Sequence, residues 1–305
     1  MATMVAHLTP RLEYGRLRPR ALLAVALAAL LLALGAAPAP AAPKDRELTV
    51  MTYNIHHGRG VDDVLDLERI AAVIRAEDVE VVALQEVDNG WGARSEFRDQ
   101  ARELAALLGM HFVYAANLDL EPLEPGSPRR QYGTAILSEL PILQSENLLL
   151  PRSSIRNEQR GLLEALINVR GVPFRLYNTH LQHNSALDRT MQVEAIIDEM
   201  EEARGPHALL GDLNARPNAP ELAPLFPRLS DAWTLGGEGD GFTLSASNPT
   251  ARIDYVLVSP DIGVADARVP YTLASDHLPV VAELILPGPT VGIGRARTAD
   301  ERGSG

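Results

Sequence analysis

The feature that most restricts the fold is a series of short apolar runs, each carrying a chemically capable polar residue at or beside one end. Leu48–Asn54 closes on Asn54, Val79–Leu84 runs into Gln85-Glu86, and Phe174–Thr179 leads to His180. Ala208–Leu210 leads through Gly211 to Asp212 and Asn214, and Ile253–Val258 carries Asp254 near its start. Runs this short and this rich in Val, Ile and Leu read as buried strands. Thr134–Leu137, Leu162–Val169 and Val280–Ile285 join them, with a tight hairpin at Arg170-Gly171. Helical spacing appears in Leu65–Ala76, where Leu67, Ile70, Ala71 and Ile74 share one face. Helices are also expected over Phe97–Leu108, stopped by Gly109, and over Leu187–Ala203. Helices flanking mixed strands place the chain in the α/β class with packed mixed sheets. Apolar strands deliver their terminal residues to one rim of a sheet, where ligands bind.

The N-terminal segment stands apart from this pattern. Arg11, Arg16, Arg18 and Arg20 precede an uncharged run, Ala21 to Ala37, followed by small residues and prolines up to Pro43. That is the layout of a secretory signal over residues 1–42. An uncleaved membrane anchor is the alternative, because the run lies near the lower limit of a bilayer span. Either reading puts the remainder outside the cytoplasm, secreted or held at a membrane. Residues 43–286 form one expected domain, and residues 287–305, without apolar periodicity, are expected to be a disordered tail. The leader holds four Arg and one Glu, so the rest carries 24 basic and 39 acidic residues, a net charge of -15. Such acidity excludes a broad basic face for nucleic acid. The absence of Cys excludes disulfides, thiolate metal sites and a cysteine nucleophile. A monomer is expected.

The strand-end residues supply the chemistry. Glu86, Asp212, Asp254 and Asp276 are carboxylates, Asn54 and Asn214 amides, His180 and His277 imidazoles. An oxygen-rich set with few His and no Cys suits a hard cation, Mg²⁺ first, with Mn²⁺ or Ca²⁺ as alternatives. Each residue alone has a blander explanation. Asn54 could cap a strand end, Glu86 could be a solvated charge, Asp212-Leu213-Asn214 a turn, Asp276-His277 a capped loop, and His180 a surface imidazole. Their joint occurrence, each at a strand end, favours a site.

In order along the chain stand TYNI, LQEV, YGTAILS, NTHL, GDLN, RIDYV and SDHLP. This series resembles the endonuclease/exonuclease/phosphatase (deoxyribonuclease I-like) superfamily across nearly all of Leu48–Leu286. The resemblance implies a four-layer α-β-β-α sandwich, two packed mixed sheets flanked by helices, with the site at one end. It implies a divalent-metal-dependent phosphodiesterase or phosphatase that attacks a phosphoester in line with an activated water. Glu86 would be the principal metal carboxylate, with Asn54 beside it in the metal and phosphate shell and Asp276 near the metal or the nucleophile. His180 would donate to the scissile phosphate, and Asp212 would orient or deprotonate the water. Asn214 would bond the phosphate, and His277 would be a second catalytic imidazole oriented by Asp254. Arg160 and Tyr132 are assigned to substrate binding. Where deoxyribonuclease I-like members carry Glu before the Tyr of the middle strand, this chain has Gln131.

Substrate class is less sharply marked. Arg94, Arg98, Arg129, Arg130, Arg152, Arg156 and Arg160 fall in loops and are either a cationic rim or scattered solvated charges. Trp91 is either loop packing or a substrate contact; His56 and His57 are either rim contacts or loop surface. His183 and His207 read as structural or surface residues. A looser resemblance to a bacterial branch related to GPI-anchor lipid-remodelling proteins implies a lipid head group or small phosphodiester. A secreted deoxyribonuclease-like nuclease is the first alternative, and a non-catalytic binding member of the fold is the second.

Overall fold

The structure, a computed structural model, describes residues 44–288. The expected leader and the tail beyond residue 288 lie outside the described residues. The first sheet contains β1 (Arg46–Asn54), β2 (Val81–Asn89), β3 (His111–Leu120), β4 (Arg130–Ser138), β11 (Gly263–Arg268) and β12 (Val280–Leu286). Their order is β11-β12-β1-β2-β4-β3. The second contains β5 (Ile142–Leu149), β6 (Gly161–Val169), β7 (Val172–His180), β8 (His207–Asp212), β9 (Ser230–Asp231) and β10 (Asp254–Val258). Their order is β5-β6-β7-β8-β10-β9. Pairing is antiparallel except for β1 with β2 and β7 with β8. Those parallel pairs are joined through α1 (Leu67–Ala76) and α3 (Ala186–Glu201); α2 (Gln100–Leu108) follows β2, and the short α4 (Ala232–Gly236) follows β9.

Strand periodicity explains the layers. Val50, Ala83 and Ile136 of the first sheet meet Leu163, Phe174, Leu210 and Val256 of the second in one buried cluster. Their neighbours point the other way: Met51, Val82 and Leu84 pack on Ile70, Ile74 and Leu104 of α1 and α2. Tyr177, Leu209 and Leu257 likewise pack on Val193 and Ile196 of α3. Three apolar interfaces between four layers make the expected α-β-β-α sandwich. Strands covered on both faces have no polar side to show, which is why they read as continuous apolar runs.

The first two helices start later than their periodicity alone implies, because caps set the boundaries. Asp66 accepts a hydrogen bond from the Arg69 amide (2.9 Å), so α1 begins at Leu67 rather than Leu65. Asp99 does the same for α2 through the Arg102 amide (3.2 Å), and Glu96 and Phe97 just before it are left-handed. The hairpin between β6 and β7 turns at Arg170 and Gly171, both left-handed, as the twist of a two-residue turn requires.

A buried polar contact crosses the middle of the apolar interface between the sheets. The Gln85 side chain donates to Asn178 Oδ1 (2.8 Å), and the Asn178 amide donates to the carbonyls of Leu84 (3.0 Å) and Ala135 (2.8 Å). Both residues are fully buried. Asn178→Ala leaves Gln85 with only Thr52 and Ala83 as acceptors and removes the side-chain donor to two buried carbonyls, so a loss of about 2 kcal/mol of unfolding free energy is expected. Urea denaturation measures it; a loss under about 1 kcal/mol would mean that the bridge contributes little.

Candidate active site

Backbone register brings three functional side chains into a row. His180, the last residue of β7, pairs with Asp212, the last of β8, and Asp212 pairs with Asp254, the first of β10. Gly211 makes the row possible. Its φ is 150°, and a Cβ there would lie 2.0 Å from the Thr179 carbonyl oxygen. Across the inter-sheet interface, β1 ends on Asn54, and the register of β2 slips between Leu84 and Val87. Glu86 sits in that bulge with a left-handed backbone (φ 59°), a distortion commonly found beside active sites. His277 comes from the loop before β12. The Ser275 hydroxyl accepts from the His277 amide (3.3 Å) and donates to the Asn54 carbonyl (2.7 Å), tying that loop to the end of β1.

The side chains converge on one oxygen. Asp212 Oδ2 accepts from the Asn54 amide (3.1 Å), faces His180 Nε2 at 3.4 Å and lies 3.8 Å from His277 Nε2. Its other oxygen accepts from the Asn214 backbone N–H (2.9 Å), and the Asn214 amide donates to the Leu181 carbonyl (3.0 Å). The Asn54 amide also donates to Glu86 Oε1 (3.2 Å), coupling the carboxylates of the two sheets. His277 Nδ1 lies 2.9 Å from Asp254 Oδ2. Glu86, His180, Asp212, Asn214 and His277 line a cleft of about 390 Å³.

Protonation follows from these neighbours. Burial and then the charge of Asp254 push the Asp212 carboxyl up to about 7. Burial opposes charge on His277, but Asp254 and Asp212 outweigh it and raise the imidazole to about 10. Burial, reinforced by the Arg160 charge, drives His180 well below its ordinary range, so its ring is neutral. The Arg160 guanidinium donates to His180 Nδ1 (3.0 Å), which leaves the proton on Nε2, aimed at Asp212. Burial would raise Glu86, yet His57, His180 and the Asn54 amide hold it well below the usual carboxylate range.

Not every expected residue stands where the sequence reading put it. Arg160 lines the cleft but is 3% exposed, and it is ion-paired with Glu158 at 2.7 Å, so it acts on His180 from beneath. The contact to His180 Nδ1 is thus a guanidinium. Tyr132 is buried in the cleft wall beside Trp91, with ring centroids 5.7 Å apart. Asp276 stands outside the hub, 3.8 Å from His56 Nδ1. Of the seven loop arginines, either a rim or scattered charges by sequence, Arg94 and Arg160 line the cleft. Arg98 instead pairs with Glu103, and Arg129 with Asp119 and Glu121, because the acidic surface offers each loop a nearer partner. Arg130 packs over Trp91. Trp91, His56, His57 and His183 do line the cleft; His207 lies elsewhere, against the Gly205 carbonyl.

The donor set suits a hard divalent cation. The Asn54 amide brings the Glu86 and Asp212 carboxylates together, and Asp254, beside Asp212 in register, has Oδ1 buried without a hydrogen-bond partner. Asp212, Asp254 and His277 each offer a ligand atom within 4.8 Å of the others.

A two-sheet α/β sandwich with carboxylates, amides and imidazoles gathered at one end defines a known structural class. Residues 51–277 match the Endonuclease/Exonuclease/phosphatase family, and the chain belongs to it. Members of this family are generally hydrolases acting on phosphoesters, and divalent metals are common among them. The chain is similar to an endonuclease/exonuclease/phosphatase from Beutenbergia cavernae, with 30% identity, a TM-score of 0.70 and coverage of 80% of this chain and 72% of that one. It shares the fold of mannosyl-6-phosphatase Bt3783 from Bacteroides thetaiotaomicron, at 20% identity, a TM-score of 0.66 and coverage of 78% and 100%. It is also 30% identical over 173 residues to protein cwh43 of Schizosaccharomyces pombe, a match to 56% of this chain that spans only 17% of that relative's length.

The His277–Asp254 pair gives a pH prediction. His277 is raised from 6.5 to about 10, so its contribution to stability is fully present below about 6.5 and is lost as pH rises through about 10. In metal-free protein, NMR of the His277 ring should show it protonated at neutral pH. Asp254→Asn should move its titration down toward or below 6.5 and flatten the stability loss over that window. A wild-type ring titrating near 6.5 would refute the assignment.

Proposed function

We propose that the protein is a divalent-metal-dependent phosphoester hydrolase acting outside the cytoplasm on a lipid head group or other small phosphoester. The observation that carries this reading is the convergence of Asn54, His180 and His277 on Asp212 Oδ2. A buried carboxylate near neutrality, flanked by three donors, can hold an attacking water and take its proton. The donors that face Asp212 in the free protein are those available to the non-bridging oxygens of a bound phosphate. His277, kept protonated by Asp254, would contribute positive charge to that phosphate, and neutral His180 would contribute a hydrogen bond from Nε2. Asn214 would fix Asp212 through its backbone N–H. Glu86 and Asn54, with Asp276 at the periphery, would hold the cation. Mg²⁺ suits their oxygens, and the ion would neutralise charge on phosphate and leaving oxygen.

A small substrate is favoured by the cleft's volume of about 390 Å³ and by the wall of Trp91, Leu118 and Tyr132. The net charge of -15 beyond the leader, 24 basic against 39 acidic residues, works against adhesion to a polyanion. Likeness to cwh43, a GPI-anchor remodelling-related protein, is in keeping with a lipid head group. The basic-then-apolar layout of residues 1–42 supports export, by a cleaved signal or a retained anchor.

Hydrolysis of bis-(p-nitrophenyl) phosphate should appear with Mg²⁺ or Mn²⁺ and vanish with EDTA. Asp212→Asn and His277→Ala should each lower kcat/KM by on the order of 10²–10⁴-fold. Wild type and His277→Ala sharing one negligible rate in every metal would leave a non-catalytic binding protein. Among plasmid DNA, sphingomyelin, phosphatidylinositol and inositol phosphates, turnover is expected on a lipid or inositol compound. Nicking of DNA with inertness toward the others would favour the nuclease.

A further inference from the structure

We propose that His56, His57 and Glu86 form a cation site of their own at the mouth of the cleft, suited to a borderline transition ion such as Zn²⁺. It shares Glu86 with the centre described above, and its test reads metal binding, so it does not depend on the hydrolase reading. Each of the three residues offers a ligand atom, and these atoms lie within 4.8 Å of one another. The donors are two imidazoles and a carboxylate, the mixture that zinc-like ions prefer and Mg²⁺ does not require. Asp276 adds a further carboxylate oxygen 3.8 Å from His56 Nδ1.

Two observations separate this group from an accidental cluster of polar residues. The Nδ1 atoms of both histidines are buried without any hydrogen-bond partner, and His57 is only 8% exposed with Nδ1 3.9 Å from Glu86 Oε2. A buried ring nitrogen left unpaired is costly, and a bound cation satisfies it. The backbone is also committed to presenting the pair. His56 and His57 are both left-handed, with φ of 45° and 43°, and Gly58 follows at 79°. Consecutive non-glycine residues in that region are rare and collect at ligand sites. Buried Gln100 clamps them. Its amide donates to the His57 carbonyl (2.6 Å), and its oxygen accepts from the Asp88 N–H (2.9 Å), two residues beyond Glu86. One side chain thereby fixes the histidines against the bulge that carries their carboxylate, with the imidazole centroids 4.4 Å apart.

The test is calorimetric titration of metal-free protein with Zn²⁺ under chelator competition, and separately with Mg²⁺. The variant is His56→Asn/His57→Asn, since Asn tolerates a left-handed backbone. Zn²⁺ affinity is expected to fall by more than about 100-fold, beyond the cost of losing an outer-shell partner, while Mg²⁺ affinity stays within about threefold. Unchanged Zn²⁺ affinity, or equal losses for both metals, would overturn the site. X-ray absorption of wild type with one equivalent of Zn²⁺ gives a reading independent of how the variant folds. Scattering from two imidazoles is expected, and fewer than two would refute the assignment. Tight Zn²⁺ binding by a protein that hydrolyses no phosphoester would support the cation site and sink the hydrolase reading.

Discussion

The site depends on the buried contact between Gln85 and Asn178. Apolar faces attract but do not set register, because hydrophobic burial has no direction. Sliding one sheet over the other by a few ångströms would keep most of the burial and pull Glu86 away from Asp212. The Gln85–Asn178 hydrogen bond and the two carbonyl contacts of Asn178 forbid that slide, since any displaced arrangement leaves buried polar groups unpaired. Each partner sits next to the chemistry: Gln85 precedes Glu86, and Asn178 precedes His180 by two residues. The same polar pair that aligns the sheets therefore sets the distance between the carboxylate of one and the imidazole of the other.

Within that frame, environment distinguishes chemically identical groups. The two hub imidazoles differ only in what lies behind them. Asp254 backs His277 and keeps it charged; Arg160 backs His180 and keeps it neutral. The carboxylates split in the same way. Glu86, turned out by its bulge toward donors, is held ionised, whereas Asp212, buried beside Asp254, is pushed toward neutrality. Pairs of titratable groups driven apart like this are the usual mark of divided acid and base roles.

How much of this could be read from the sequence follows from burial. The eight interior strands of the described residues were all legible, because strands covered on both faces carry mostly apolar residues. The four strands that the sequence did not reveal, β3, β5, β9 and β11, are the four sheet edges. β5 shows why: most of its residues are exposed, so nothing periodic or apolar marks it. Site residues at strand ends were legible for the same reason, since the strands point to them. The place of Arg160 beneath His180 was not legible, because its partners Glu158 and His180 meet only after β6 and β7 pair. The left-handed His56-His57 turn had no signal beyond two adjacent histidines, and Gln100, which holds it, lies 43 residues away in sequence.

Charge within the cleft bears on how an acidic protein could hold a phosphate. The two arginines that reach the cleft are both already paired. Arg94 is bound through two hydrogen bonds to buried Asp88, and Arg160 is paired with Glu158. Each pair is close to neutral from a distance, so neither arginine draws in an anion strongly. The imidazolium of His277 is likewise matched by Asp254. With Glu86 ionised and Asp212 poised to ionise, the centre repels a phosphate as it stands. A divalent cation reverses that sign at close range, where the interaction is strongest and least screened. In the proposed hydrolase, metal binding and anion binding would be coupled, and the carboxylates that make the surface unattractive to polyanions would favour a phosphate presented to a metal.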